Sequence, residues 1–493
     1  MQYISTRNNH KPVHASNAIA LGMVPDGGLF VPERIPVLPS LPNADDRFQD
    51  IARLVLETLL TDFSASDIST CIDSAYNDTT FDTRSVVDIV KLDDNRSIME
   101  LWHGPTAAFK DVALQIMPHF LTVAKHLTGD NSHTIILVAT SGDTGKAALE
   151  GFKNAPGISI IVFYPHEGVS EIQKQQMVTT DGANTHVVAV KGNFDDCQRG
   201  VKKILGDQIL RERCAAGGFS FSSANSINWG RLCPQIVYYF HAYRSLVARK
   251  AIANGEIIDF CVPTGNFGNI LAGYYARTMG LPIGKLICAS NRNNVLADFF
   301  ESGEYNANRI FHRTMSPSMD ILISSNLERF LFEVTGHDAT AICGWYRRLT
   351  DTGSFTVDAA TRTRMADLIV PGWVDEAEVL ATIGREFKRS GYVLDTHTAV
   401  AAALCDRIGS GRRHTVIAST ASPYKFSMHV LAGMTREHAD DEFAAIDRIA
   451  SRWNVPVHSA LANLRKRPVR HALVIEQEDM LRTVQEILTG FGG

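Results

Sequence analysis

Between residues 135 and 290 apolar residues fall into short unbroken runs, and each run is followed by a stretch with helical spacing. Runs over 135–139, 158–164 and 187–190 predict three strands. Between and after them come helices over 146–152, from about 172 to 177, and from 195 to 210. A serine-rich loop leads into a helix expected from about 232 to 253. The alternation then resumes with strands over 260–262 and 286–289, helices over 270–279 and 295–300, and a late strand over 415–418. Continuous apolar runs mark strands covered on both faces by helices, as in parallel sheets. The pattern predicts an α/β protein whose ligands bind in loops beyond the carboxyl ends of its strands.

The flanks differ. A loop rich in Gly and Pro over 22–32 precedes a helical stretch holding Ile51, Leu54, Val55, Thr58, Leu59 and Leu60, and a stretch with many aspartates runs to Asp94. Residues 1–95 are therefore expected to form a small N-terminal domain. Two α/β domains are expected over 96–245 and 246–430, the second with a helical insertion at about 301–390, where periodicity is weak. Residues 431–493 are expected to be a C-terminal helical segment, with Leu481, Val484, Ile487 and Leu488 packing on the body. At about 150 residues per domain, a chain of 493 residues accommodates this number of units.

Composition narrows the functional classes. Apolar residues make up 45% and charged residues 20%, enough for a large core. A formal charge of −5 argues against a nucleic-acid or anionic-membrane surface. The one basic run, 465–470, sits beside Pro468 and reads as a solvated loop. No apolar stretch approaches the ~18 residues of a membrane span, and the N-terminus lacks the apolar centre of a secretory signal. Eight cysteines are scattered without a Cys-x-x-Cys pair, which predicts reduced thiols, no zinc site and a cytoplasmic protein without a metal.

The chemistry concentrates in four places. In His103-Gly104-Pro105-Thr106-Ala107-Ala108-Phe109-Lys110-Asp111, Gly-Pro ends the preceding element, Thr106 is a fair helix cap, and Lys110 falls just inside the helix. Burial there would favour the neutral amine that attacks carbonyls, although on spacing alone a solvated lysine fits better. The loop 263–269 joins a strand to a helix, and Gly265 and Gly268 let backbone N–H groups converge on a phosphate; a plain tight turn fits as well. The loop 140–146 carries Gly-Lys, but only Asp143 and Thr144 separate its glycines and Ala147 follows Lys146, so a P-loop is excluded. What remains is a hydroxyl-rich turn able to take a carboxylate, or a well-capped helix. The loop 222–231 offers amides, hydroxyls and Arg231 to an anion, or is a polar surface loop.

Together these stretches resemble the threonine synthase family. The resemblance rests on 103–111, on Ser141-Gly142-Asp143-Thr144-Gly145, on Asn225-Ser226-Ile227-Asn228-Trp229-Gly230-Arg231 and on Gly265-Asn266-Phe267-Gly268-Asn269. Tyr3-Ile4-Ser5-Thr6-Arg7 and Pro25-Asp26-Gly27-Gly28-Leu29-Phe30 are similar to the N-terminal domain of its longer class. The resemblance implies two open, mostly parallel-sheet α/β domains of the tryptophan-synthase-like fold, with pyridoxal 5′-phosphate (PLP) between them, plus the small N-terminal domain. It implies Lys110 as the Schiff-base lysine, and Gly265, Asn266, Phe267, Gly268 and Asn269 as the cradle of the cofactor phosphate. Thr420 matches the hydroxyl that bonds the pyridine nitrogen. Asp143 falls where many relatives of the fold carry asparagine facing the cofactor 3′-oxygen. Thr140, Ser141 and Thr144 are implied to receive the substrate carboxylate, and Asn225, Ser226, Asn228 and Arg231 the substrate phosphate.

The implied reaction converts O-phospho-L-homoserine and water to L-threonine and phosphate, the last step of threonine biosynthesis, in a monomer or homodimer. PLP is the electron sink, while Lys110 removes the α-proton and shuttles a β-proton. Two other readings remain. A serine or threonine dehydratase of the same fold needs Lys110 and the cradle but no second phosphate site, so Arg231 discriminates. A threonine-synthase-like protein without catalysis would bind PLP or a phosphate ligand only.

Overall fold

The computed structural model describes residues 1–140, 142–409 and 413–490. Its framework is two sheets. One has five parallel strands in the order Val474–Glu476, Thr185–Lys191, Ile158–Pro165, His133–Ala139, Phe219–Ser222. The other has six, ordered Ile369–Trp373, Ile283–Ser290, Ile258–Pro263, Thr415–Ser419, Arg96–Glu100, Asp88–Lys91, all parallel except the last pair. Each strand expected from its apolar run is present, one to three residues longer at one or both ends.

Alternation along the five-stranded sheet divides its side chains between two cores. Ile136, Val138, Ile160 and Val162 pack with Leu114, Met117 and Leu149 on one face. Ile135, Leu137, Ile161 and Phe163 pack with Val201, Ile204 and Val484 on the other. Helices thus cover both faces, which is why these strands are apolar throughout.

The sheets divide the chain differently from the expected boundaries. Arg96–Glu100, expected in the lysine-bearing domain, belongs to the six-stranded sheet and carries Asp88–Lys91 with it across the boundary at residue 95. Its charged ends hid it from a reading by hydropathy. Both are buried because both are paired: Arg96 with Asp406 at 2.9 Å, and Glu100 with Tyr392 at 2.6 Å and His103 at 2.9 Å. Residues 301–390 are more than a helical insertion, since Ile369–Trp373 forms an edge of the same sheet. Nor is the C-terminal segment only helical: Val474–Glu476 adds a strand to the five-stranded sheet before the helix Met480–Thr489 packs on it.

The N-terminal segment pairs Tyr3–Ser5 with Phe30–Pro32 and lies against the helix Trp229–Ala248. Tyr3 is fully buried, its ring 5.2 Å from that of Trp229 and its hydroxyl donating to Leu59 O at 2.9 Å. Among the described residues no helix is long and apolar enough to cross a membrane.

Candidate functional site

Lys110 opens the helix Lys110–Thr128, with Phe109 rather than Thr106 as its cap residue. Thr106 instead donates its N–H and hydroxyl to the buried carboxylate of Asp111, at 2.8 and 2.7 Å, tying the turn to the first helical residues. A Cβ on Gly104 would collide with Asp111, so the glycine is required by this close approach. The Lys110 side chain is only 11% exposed. Its amine lies 3.3 Å from Ser318 Oγ, 3.7 Å from Asp143 Oδ2 and 5.0 Å from the centre of the Phe109 ring. Burial pushes its pKa down to about 8; Asp143 opposes the shift, and the charges of Lys425 and Arg231 add to it.

Asp143 starts the helix Asp143–Phe152. Burial alone would raise its pKa, but Lys425 and Lys110 outweigh that and hold the carboxyl far below its ordinary range. Lys425 Nζ is 2.6 Å away and fully buried, Gln173 donates to the same carboxylate at 2.7 Å, and Ser318 donates at 3.3 Å. Thr140 supports the turn before the helix, its hydroxyl accepting the N–H groups of Gly142 and Gly145 at 3.0 and 2.9 Å. Thr144 is half-buried in the first turn. Ser141 lies outside the described residues.

The loop from Gly265 to Asn269 follows the strand Ile258–Pro263 and opens the helix Gly268–Thr278. Phe267 takes φ of +64° and buries its ring against Phe300 and Phe330. A Cβ on Gly265 would lie 2.9 Å from Ser318 O, so the segment around Ser318 closes directly over the loop. Asn269 Oδ1 accepts from Tyr238 and Tyr239, both at 2.8 Å, while its buried Nδ2 has no protein partner. Thr420 follows the strand Thr415–Ser419, and its carbonyl accepts the Phe109 N–H at 2.8 Å, beside Lys110.

Arg231 is buried near the start of the helix Trp229–Ala248. It donates to Ala224 O at 2.6 Å, its Nε has no protein partner, and burial lowers its pKa to about 10. Asn228 caps that helix, accepting from Gly230 N–H at 2.9 Å and donating to Ile19 O at 3.1 Å, so its amide is committed to holding the loop on the N-terminal segment. Asn225 is exposed and Ser226 half-buried. Ser325 joins two of the loops, 3.2 Å from Ser226 Oγ and 3.2 Å from Asn266 Oδ1.

Four residues of this neighbourhood were not anticipated. Ser318 links Lys110 to Asp143, and its own N–H donates to His397, whose ring also bonds Asp395. Ser318 and His397 lie in or beyond the stretch of weak periodicity, and nothing in their local pattern marks them. Gln173 is an ordinary first-turn residue in its helix. Lys425 carries a positional signal, because it lies in the short helical turn beyond the carboxyl end of the strand Thr415–Ser419, where ligands of such sheets bind. The set suits a phosphorylated carbonyl cofactor: a buried amine, a glycine loop at a helix start, an unpaired Asn269 donor, and a second buried cation with a free N–H in Arg231.

Residues 2–76 match the family described as threonine synthase N terminus, and residues 98–371 match the family described as pyridoxal-phosphate dependent enzyme. The chain is 38% identical to threonine synthase-like 1 of Homo sapiens over 94% of its own length, and spans 64% of that relative. It is also 38% identical to threonine synthase of Pseudomonas aeruginosa, covering 86% of this chain and 89% of the other. The crystal structure of PLP-bound threonine synthase from Brucella melitensis superposes with a TM-score of 0.86 at 35% identity, covering 99% of this chain and 98% of that one.

Proposed function

Since the chain belongs to the threonine synthase family of pyridoxal-phosphate-dependent enzymes, we propose that it converts O-phospho-L-homoserine and water to L-threonine and phosphate. The observation that carries this reading is a buried amine at Lys110 together with, on a separate loop, a buried guanidinium at Arg231 whose Nε has no protein partner. One cation serves the carbonyl chemistry and the other a phosphate that leaves.

PLP, when bound, supplies the electron sink for carbanion chemistry. The residues that would hold it are Lys110, the loop from Gly265 to Asn269, Asp143 and Thr420. Lys110, with a pKa near 8, is partly neutral at physiological pH, and so can form the covalent link and later take and return a proton. Its position is set from two sides, by the turn that Asp111 ties down and by Ser318. Asp143, held ionised by Lys425 and Lys110, would serve as an acceptor. Thr140 keeps the backbone of its loop fixed, which suits capture of a carboxylate by N–H groups and by Thr144. Arg231 has an N–H without a protein partner, and with Ser226 and Asn225 it would hold the substrate phosphate and stabilise it as it departs. Asn228 serves that loop by capping the helix behind it.

Relatives named threonine synthase-like 1 support a second reading, a protein of this fold with altered or absent turnover; the chain spans less than two thirds of the first of them. The test is to load the purified chain with PLP, add O-phospho-L-homoserine, and follow phosphate and threonine together. Equal release of both is expected. Phosphate with 2-oxobutanoate and no threonine would make it a deaminating enzyme of the same fold, and no phosphate would leave a binding protein.

A further inference from the structure

A cleft of about 470 Å³ lies behind the site, and none of Lys110, Asp143 or Arg231 lines it. Its charged walls come from the helix Asp143–Phe152 through Lys146, the turn after the helix Glu171–Val178, and the basic run near the C-terminus through Arg467 and Arg470, with Thr79, Pro105 and Ser459 completing the lining. Lys146 is almost wholly buried at its floor, bonded to Glu150 and 3.0 Å from Thr180 Oγ1. Lys153 pairs with Asp181 at the rim. Four cations thus face two carboxylates, and among the described residues no carboxylate lies within ion-pair distance of Arg467 or Arg470. The basic run is exposed, as the solvated loop expected from its sequence, but it is tethered at several points. Arg470 N–H donates to Val178 O at 2.8 Å, Gln175 donates to Arg467 O at 3.4 Å, and the Arg467 guanidinium reaches Ser459 O at 3.4 Å.

We propose that this cleft binds a small phosphate-bearing dianion, held by Arg467 and Arg470 above Lys146. Two guanidinium groups with no carboxylate in ion-pair contact match a dianion in charge and can grip phosphate oxygens through paired N–H donors. The volume is that of a metabolite site, and its polar, hydroxyl-containing lining suits a charged ligand better than an apolar one. Such a ligand bridges the C-terminal run to the helix that begins with Asp143. It also touches Pro105, whose neighbour Thr106 gives its carbonyl to Lys425 at 3.0 Å. Occupancy would therefore brace the helix that carries Asp143 and the turn whose Thr106 carbonyl accepts from Lys425.

The probe is inorganic pyrophosphate, titrated calorimetrically into the PLP-loaded protein at constant ionic strength. The wild type is expected to show a saturable event that is weakened by about tenfold or more in Arg467→Ala/Arg470→Ala, and weakened less in Arg467→Lys/Arg470→Lys. Both arginines are exposed, and an unchanged circular-dichroism spectrum and cofactor absorbance would show the variants folded. A double alanine variant that binds pyrophosphate as the wild type does would overturn the proposal. So would a wild type with no saturable event.

Discussion

Lys425 Nζ lies 2.6 Å from Asp143 Oδ1, and both side chains are almost completely removed from solvent. An acid at position 143 is tolerated because Lys425 neutralises it in place. The pair presents a nearly neutral group to the site, much as an amide would. Removing one partner of such a pair leaves an uncompensated buried charge, which costs about 3–5 kcal/mol. Lys425→Met is expected to lose that much stability in urea unfolding, and Lys425→Met/Asp143→Asn to recover most of it. If the double variant is no more stable than Lys425→Met, the two residues are not coupled.

Lys110 is neutral in growing proportion as pH rises through about 8. Cofactor loading of the apo-protein should accelerate with pH up to that range and then level off. In Lys425→Met the curve should move to higher pH, because a charge that pushes Lys110 down is gone while Asp143, which pulls it up, remains. Lys110→Ala should lose both the visible absorbance of lysine-linked cofactor and all threonine formation.

Arg231→Ala should retain that absorbance but lower kcat/KM for O-phospho-L-homoserine by about 10- to 150-fold, the equivalent of roughly 1.5–3 kcal/mol for a charge-assisted contact. Arg231→Lys should fall between the two, since it keeps the charge and loses the fork. Unchanged kinetics in the alanine variant would remove Arg231 from the substrate site.

His103 joins Asp82 at 2.7 Å and Glu100 at 2.9 Å, with Asp88 and His458 close by. Burial would lower its pKa, yet Asp82 and Glu100 outweigh burial and raise it to about 9. A raised histidine stabilises the fold fully below its ordinary value near 6.5, and this contribution fades as pH rises through about 9. His103→Gln should therefore cost on the order of 2–3 kcal/mol at pH 6 and much less at pH 9.5, read from urea midpoints at the two pH values.

The α/β architecture was legible because continuous apolar runs alternating with helices have few other solutions, and the four site motifs with the two N-terminal stretches together carried the family resemblance. Legibility failed where burial depended on a distant partner. Arg96–Glu100 looks like a polar segment until Asp406 and Tyr392 meet its ends. Residues 301–390 showed weak periodicity, yet they supply both Ser318 and the edge strand Ile369–Trp373.

From the sequence came a lysine at a helix start and three polar loops whose composition suits anions. Only the tertiary structure decided that this lysine is buried, that its amine is pushed toward neutrality, and that Ser318, 208 residues away, holds it beside Asp143. A pKa is set by the field and the solvation at one point in space. That point is filled by residues far apart along the chain, so local pattern can mark the lysine but cannot set its chemistry.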